Sequence, residues 1–141
     1  MRRLLFALCF LGLALSSAHA QRFCPDPYNS APCTAITGNA AGTVGAVVGT
    51  LAATAGKTSY ICGFEVSAIG GTAAIGPITI AGLIGSSMIF QGSSSAAGGT
   101  IAQKTFAPCI PASATNTAIT ITTTANGTAT AVNVNSWGYQ L

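Results

Sequence analysis

The chain has 141 residues, half of them hydrophobic, with five Lys or Arg, two Asp or Glu and one His, for a formal net charge of +3. So few ionisable groups exclude most acid–base, His-ligated metal and phosphate-binding machinery before any motif is sought. The five cysteines and 17 glycines suggest a small, disulfide-stapled, turn-rich domain instead.

The first element is a secretory signal. Met1-Arg2-Arg3 supplies the basic start, Leu4 to Leu15 the uncharged run, and Ala18-His19-Ala20 a signal-peptidase site before Gln21. The apolar run falls short of the roughly 20 residues that a spanning helix needs. Cys9 follows Leu8 inside that run, so no lipid anchor is indicated. The expected product is a mature chain from Gln21 to Leu141 that is secreted, periplasmic or displayed at the cell surface, with no membrane span. Cleavage removes Arg2, Arg3, Cys9 and the single histidine, His19, and leaves Arg22, Lys57 and Lys104 against Asp26 and Glu65. Three scattered cations cannot build a nucleic-acid footprint.

Residues 21–39 form the second expected unit, an irregular N-terminal segment rich in proline between Cys24 and Cys33. Export places Cys24, Cys33, Cys62 and Cys109 where thiols oxidise, and four cysteines admit three pairings that sequence alone does not choose between. The expected pairs are Cys24 with Cys33, pinning the N-terminal segment, and Cys62 with Cys109, tying an early strand to a late one. A four-thiolate metal site is the rival reading, but no CxxC pair is present and the compartment is oxidising.

Residues 40–141 form the expected domain. From Ala40 to Gly56 the text is Ala, Gly, Val and Thr, and the Gly45 to Gly49 spacing matches GxxxG. Four glycines and interspersed threonines favour strand or loop over a membrane dimer helix. Tyr60, Cys62, Phe64 and Val66 alternate with Ser59, Gly63 and Glu65, which predicts a half-buried strand. Ile75 to Leu83, Ser87 to Gln91 and Thr100 to Phe106 are shorter strand candidates between Gly and Ser clusters. Ile119 and Ile121 alternate with threonines, and Val132 and Val134 with asparagines. The Asn126-Gly127 turn signal predicts that these two strands form a hairpin. Short strands without a helical period define an all-β expectation, an antiparallel β-sandwich or jelly roll.

The chemistry open to such a domain is narrow. No mature histidine remains for a Ser-His-Asp triad or a His-ligated zinc site. Gly56-Lys57-Thr58 resembles the end of a phosphate loop, but Leu51 stands where that motif wants glycine, and a strand follows rather than a helix. Asp26 and Glu65 are the only carboxylate side chains for glycoside hydrolysis, and a turn and a polar strand face explain them more simply. A Ser-Lys dyad on Lys57 or Lys104 has no local pattern to mark its serine. Sparse acidic groups also disfavour calcium. No catalytic, cofactor or metal residue is therefore assigned. Trp137 and Tyr139 are the candidate ligand contacts, with burial in a terminal strand as the plainer alternative. Asn126-Gly127-Thr128 is a glycosylation sequon that the turn explains equally well.

Cys62-Gly63-Phe64-Glu65-Val66, Phe106-Ala107-Pro108-Cys109-Ile110-Pro111-Ala112, Asn116 and Trp137-Gly138-Tyr139 resemble small β-sandwich proteins of bacterial and phage origin, including decoration and tail-associated proteins. The resemblance covers about Thr58 to Leu141 and implies a structural or adhesive role with no catalytic residues. The signal peptide favours a bacterial envelope or secreted member. Three roles follow as expectations. The first is a structural or surface protein that self-associates, because a nearly uncharged, Thr-rich β surface has few gatekeepers. The second is a carbohydrate- or partner-binding module. The third is an eight-stranded outer-membrane barrel, which the scarce aromatics disfavour.

Overall fold

The computed structural model describes residues 33–43, 45–70, 77–92, 98–124 and 131–141. These form eight strands: β1 (Thr34–Gly42), β2 (Val48–Leu51), β3 (Ser59–Ile69), β4 (Ile78–Ala81), β5 (Met88–Phe90), β6 (Gly99–Pro111), β7 (Ile119–Thr122) and β8 (Ala131–Gln140). No helix occurs among the described residues. The strands make two antiparallel sheets, ordered β1-β8-β3-β6 and β2-β7-β4-β5, an all-β arrangement consistent with the expected sandwich. The pairing has a simple logic. β1 pairs with β8, β2 with β7, β3 with β6 and β4 with β5, so the first half of the chain runs back along the second. Successive rungs of that ribbon fall in alternate sheets, and the β3–β8 and β4–β7 pairings knit each sheet together.

Alternation explains why these segments are strands. In β4 and β7 the isoleucines are buried while the intervening threonines are only part-covered. Threonine suits an outward position because its branched Cβ fits the pleat and its hydroxyl stays wet. Ile61, Phe64, Val66, Ile78, Ile80, Ile119, Ile121, Val132 and Val134 meet in one core drawn from both sheets. Burying each large side chain contributes about 1.5–3 kcal/mol before the entropy of ordering it. The Phe64 ring packs against Phe90 at 5.2 Å and Phe106 at 6.3 Å, joining β3 to both sheets' far strands. At the other side, Gly49 lets β2 close on β8: a Cβ there would stand 2.7 Å from Val134 Cγ1. The Gly45–Gly49 spacing therefore ends in a strand, where the second glycine serves sheet-to-sheet approach.

Three expectations need correction. First, Tyr60 and Cys62 do not share a face with Phe64 and Val66. Ser59 and Ile61 are buried, the phase then slips, and Phe64, Val66 and Ala68 are buried in turn. The slip is a bulge. Between Ile61↔Ile110 and Gly63↔Thr105, the single residue Cys62 faces Phe106 to Cys109 of β6. A disulfide from Cys62 to Cys109 closes this irregular stretch, as the expected pairing has it. With a sequence separation of 47 between the cysteines, the cross-link restricts the unfolded chain by about 4 kcal/mol in the loop-entropy picture. Second, β7 and β8 are not a hairpin, because they lie in different sheets. Each has one apolar face, and placing those faces opposite each other across the core buries both, which side-by-side pairing alone would not. The Asn126-Gly127 signal itself lies outside the described residues. Third, β1 begins at Thr34, so residues 34–39 belong to the sheet and not to an irregular N-terminal segment.

Cys33 is disulfide-bonded as well. Its expected partner Cys24, like the expected signal peptide, lies outside the described residues.

Candidate functional site

The outer face of the β1-β8-β3-β6 sheet gathers the most distinctive side chains. Along β8, Val132, Val134, Ser136 and Gln140 are buried, which turns Asn133, Asn135, Trp137 and Tyr139 to the opposite side. Buried and part-buried hydrogen bonds hold this orientation. Ser136 Oγ donates to the Gly38 carbonyl at 3.2 Å, and Gln140 Nε2 donates to the Ala52 carbonyl at 2.7 Å and to Ser59 Oγ at 3.0 Å.

Trp137 and Tyr139 share this face but sit differently. Tyr139 is only 5% exposed and stacks on its cross-strand partner Tyr60 with centroids 4.8 Å apart and planes 12° from parallel. That is the buried placement in a terminal strand that stood as the plainer alternative for this residue. Trp137 is half-buried, and its cross-strand partner on β3 is Gly63. A Cβ on Gly63 would collide with Cζ2 and Cε2 of the indole, so the six-membered ring occupies the space that a side chain would fill. The bulge at Cys62 is what brings Gly63, rather than a larger residue, beneath the ring.

Next along β8, Asn135 stands between Asn39 of β1 and Glu65 of β3, and Gln103 of β6 follows Glu65 in the same row. Asn39, Asn133 and Asn135 are exposed and, with Ala40 and Ala41, line a shallow depression of about 240 Å³. Glu65 accepts a hydrogen bond from Thr100 Oγ1 at 3.2 Å. The amides were legible as the polar side of the Val132 to Asn135 alternation. What sequence reasoning missed was that Trp137 continues the same parity two residues on.

The lookalikes are accounted for by local structure. In Gly56-Lys57-Thr58 the amides a phosphate would need are taken: Gly56 N–H by Asn116 Oδ1 at 2.6 Å, Lys57 N–H by the Thr54 carbonyl, and Thr58 N–H by the Leu141 carbonyl. Lys57 Nζ donates to Thr34 Oγ1 at 2.9 Å. Asn116, with a positive φ of 64°, also donates its own N–H to the Lys57 carbonyl, so it fastens one turn to another. Lys104 is exposed on β6, opposite Phe64. Asp26 lies outside the described residues, and the structure brings no second carboxylate to Glu65 among those described. No group of three or more His, Cys, Asp or Glu that could hold a metal occurs among the described residues. No described helix is long and apolar enough to cross a membrane, and the described strands form two open sheets rather than one closed ring.

Comparison with protein-family models, curated proteins and solved structures finds no match to this chain.

Proposed function

We propose that this is an exported, non-enzymatic structural or surface protein, a jelly roll that coats a cell surface or particle by self-association. The fold reading rests on the strand pairing. Support for it comes from an antiparallel ribbon of four rungs, rolled so that β1-β8-β3-β6 and β2-β7-β4-β5 lie apart, the pairing expected of a jelly roll with two Greek keys, an architecture used in capsids and lectins. Fold alone does not carry function, so the role rests on the surface. The observation that carries it is an asymmetry between the two ends of the sheets. At one end β5 has three residues, and β6 has Lys104, Pro108 and a bulge, all devices that blunt an edge. At the other end β1 and β2 contain neither charge nor proline, and both ends carry an exposed apolar side chain, Val48 at 45% on β2 and Ile89 at 63% on β5. That end is the face for copies of this chain to join.

A disulfide between Cys62 and Cys109 and the absence of a described membrane helix are consistent with an extracytoplasmic location. The basic, apolar and small-residue parts of Met1 to Ala20 support export. The test is to express the whole chain in a bacterium and recover the product by fraction. The reading expects an intact mass starting at Gln21, all four remaining cysteines oxidised, and ordered particles or filaments under the electron microscope. A full-length, reduced cytoplasmic monomer would overturn it.

A further inference from the structure

We infer that the Trp137 face is a binding site for an uncharged polysaccharide. The site combines three features that a neutral glycan requires. The first is an aromatic platform on a rigid base, since Trp137 rests on Gly63 in the middle of a four-stranded sheet and is itself only half-buried. Sugar rings present C–H groups on their flat faces, and those pack on an aromatic face. The second is a set of donor-and-acceptor groups at the right level. Asn135 lies two residues along the strand, roughly 6.6 Å away by strand rise, with Asn39 beside it and Asn133 one further step on. Each amide both donates and accepts, as a hydroxyl does, so each can bond the hydroxyls of a sugar without a charge on either side.

The third feature is electrostatic. The row contains no cation, and its one carboxylate, Glu65, already accepts a bond from Thr100. An anionic polysaccharide or a phosphate would find no counter-charge here, whereas a neutral chain loses nothing by that absence. The depression of about 240 Å³ between Asn39, Asn133 and Asn135 is open and shallow, which suits a chain laid across a surface rather than an enclosed small molecule. The opposite outer face supplies a contrast. Its row Val48, Thr122, Thr79, Ile89 contains neither amide nor aromatic.

The site faces outward from the sheet, and its Trp137 and Asn135 lie one strand in from the β1 edge assigned to assembly, while Asn39 on β1 borders both. Trp137 is the only tryptophan in the chain, so its emission reports this site alone. The oxidised protein is titrated with soluble cello-, xylo-, malto- and chito-oligosaccharides and incubated with insoluble cellulose and chitin, with light scattering recorded on the same samples. At least one neutral sugar should shift the emission saturably or retain the protein. Asn135→Ala, exposed and outside the core, should weaken that binding about two- to tenfold, and Trp137→Ala about tenfold or more. Thr122→Ala, on the other face, should leave it unchanged. If Trp137→Ala fails to fold, Asn135→Ala and Asn39→Ala carry the test. Emission unmoved by every sugar, or binding indifferent to Asn135 and Asn39, would overturn the site. Emission that follows protein concentration and not sugar would also overturn it and assign the face to a second copy. Sugar binding by a monomer would uphold this site while contradicting assembly.

Discussion

The two sheets share one core yet differ in nearly everything they show to the outside. The β1-β8-β3-β6 sheet has strands of 9 to 13 residues, the disulfide, the bulge, the tyrosine stack and the Trp137–amide face. The β2-β7-β4-β5 sheet has strands of three or four residues, and its outer side is largely threonine. The short sheet covers the core. The long sheet covers it too, and has surface left over for chemistry. In a fold this small, irregularity therefore marks where function can be sought, because the regular sheet spends its sequence on alternation alone.

If both sheets depend on the same core, the largest effect should come from a residue that touches both. Phe64→Ala removes a fully buried ring packed on Phe90 and Phe106, and should lower unfolding free energy by about 3–5 kcal/mol in urea titrations. Equal stability of this variant and the parent would mean that the sheets do not pack as described. Next comes the staple that only the long sheet has. Cys62→Ser/Cys109→Ser should lose about 2–4 kcal/mol, read as a fall in urea midpoint equal to that of the parent when both bridges are reduced less the share of Cys33's bridge.

The same comparison explains what was legible. In the short sheet, Ile78-Thr79-Ile80 and Ile119-Thr120-Ile121-Thr122 alternate without interruption, and the sequence pattern marks both as strands, the first inside the broader Ile75 to Leu83 stretch. In the long sheet, Tyr60 and Cys62 look as apolar as Ile61, so alternation fitted either phase. Only the partner strand's extra residues at Phe106 to Cys109 reveal the slip. The Asn126-Gly127 signal describes a local turn and contains nothing about which sheet the next strand joins, so β7 and β8 were read as neighbours. Trp137 stands out in the sequence by its residue type, while the amides beside it need the register of β1 and β8 to fall into one row.

A smaller effect probes the seam between the sheets. Gln140→Ala leaves the buried Ser59 hydroxyl and the part-buried Ala52 carbonyl without their amide donor, at a cost of about 1–3 kcal/mol in the same titration. A loss near zero would mean that the two sheets are not tied there. The smallest effect is expected on the plain face, where Thr122→Val should change stability by no more than about 0.5 kcal/mol by thermal or urea unfolding. A larger loss would show that this face is engaged and not merely a cover.

The most direct test of the assembly role is light scattering of the oxidised, exported protein across a wide concentration range, beside the Val48→Lys variant. A discrete oligomer or filament that dissociates on placing a charge at Val48, with the urea midpoint unchanged, is the predicted result. A monodisperse monomer at every concentration, with Val48→Lys indistinguishable from the parent, would contradict it.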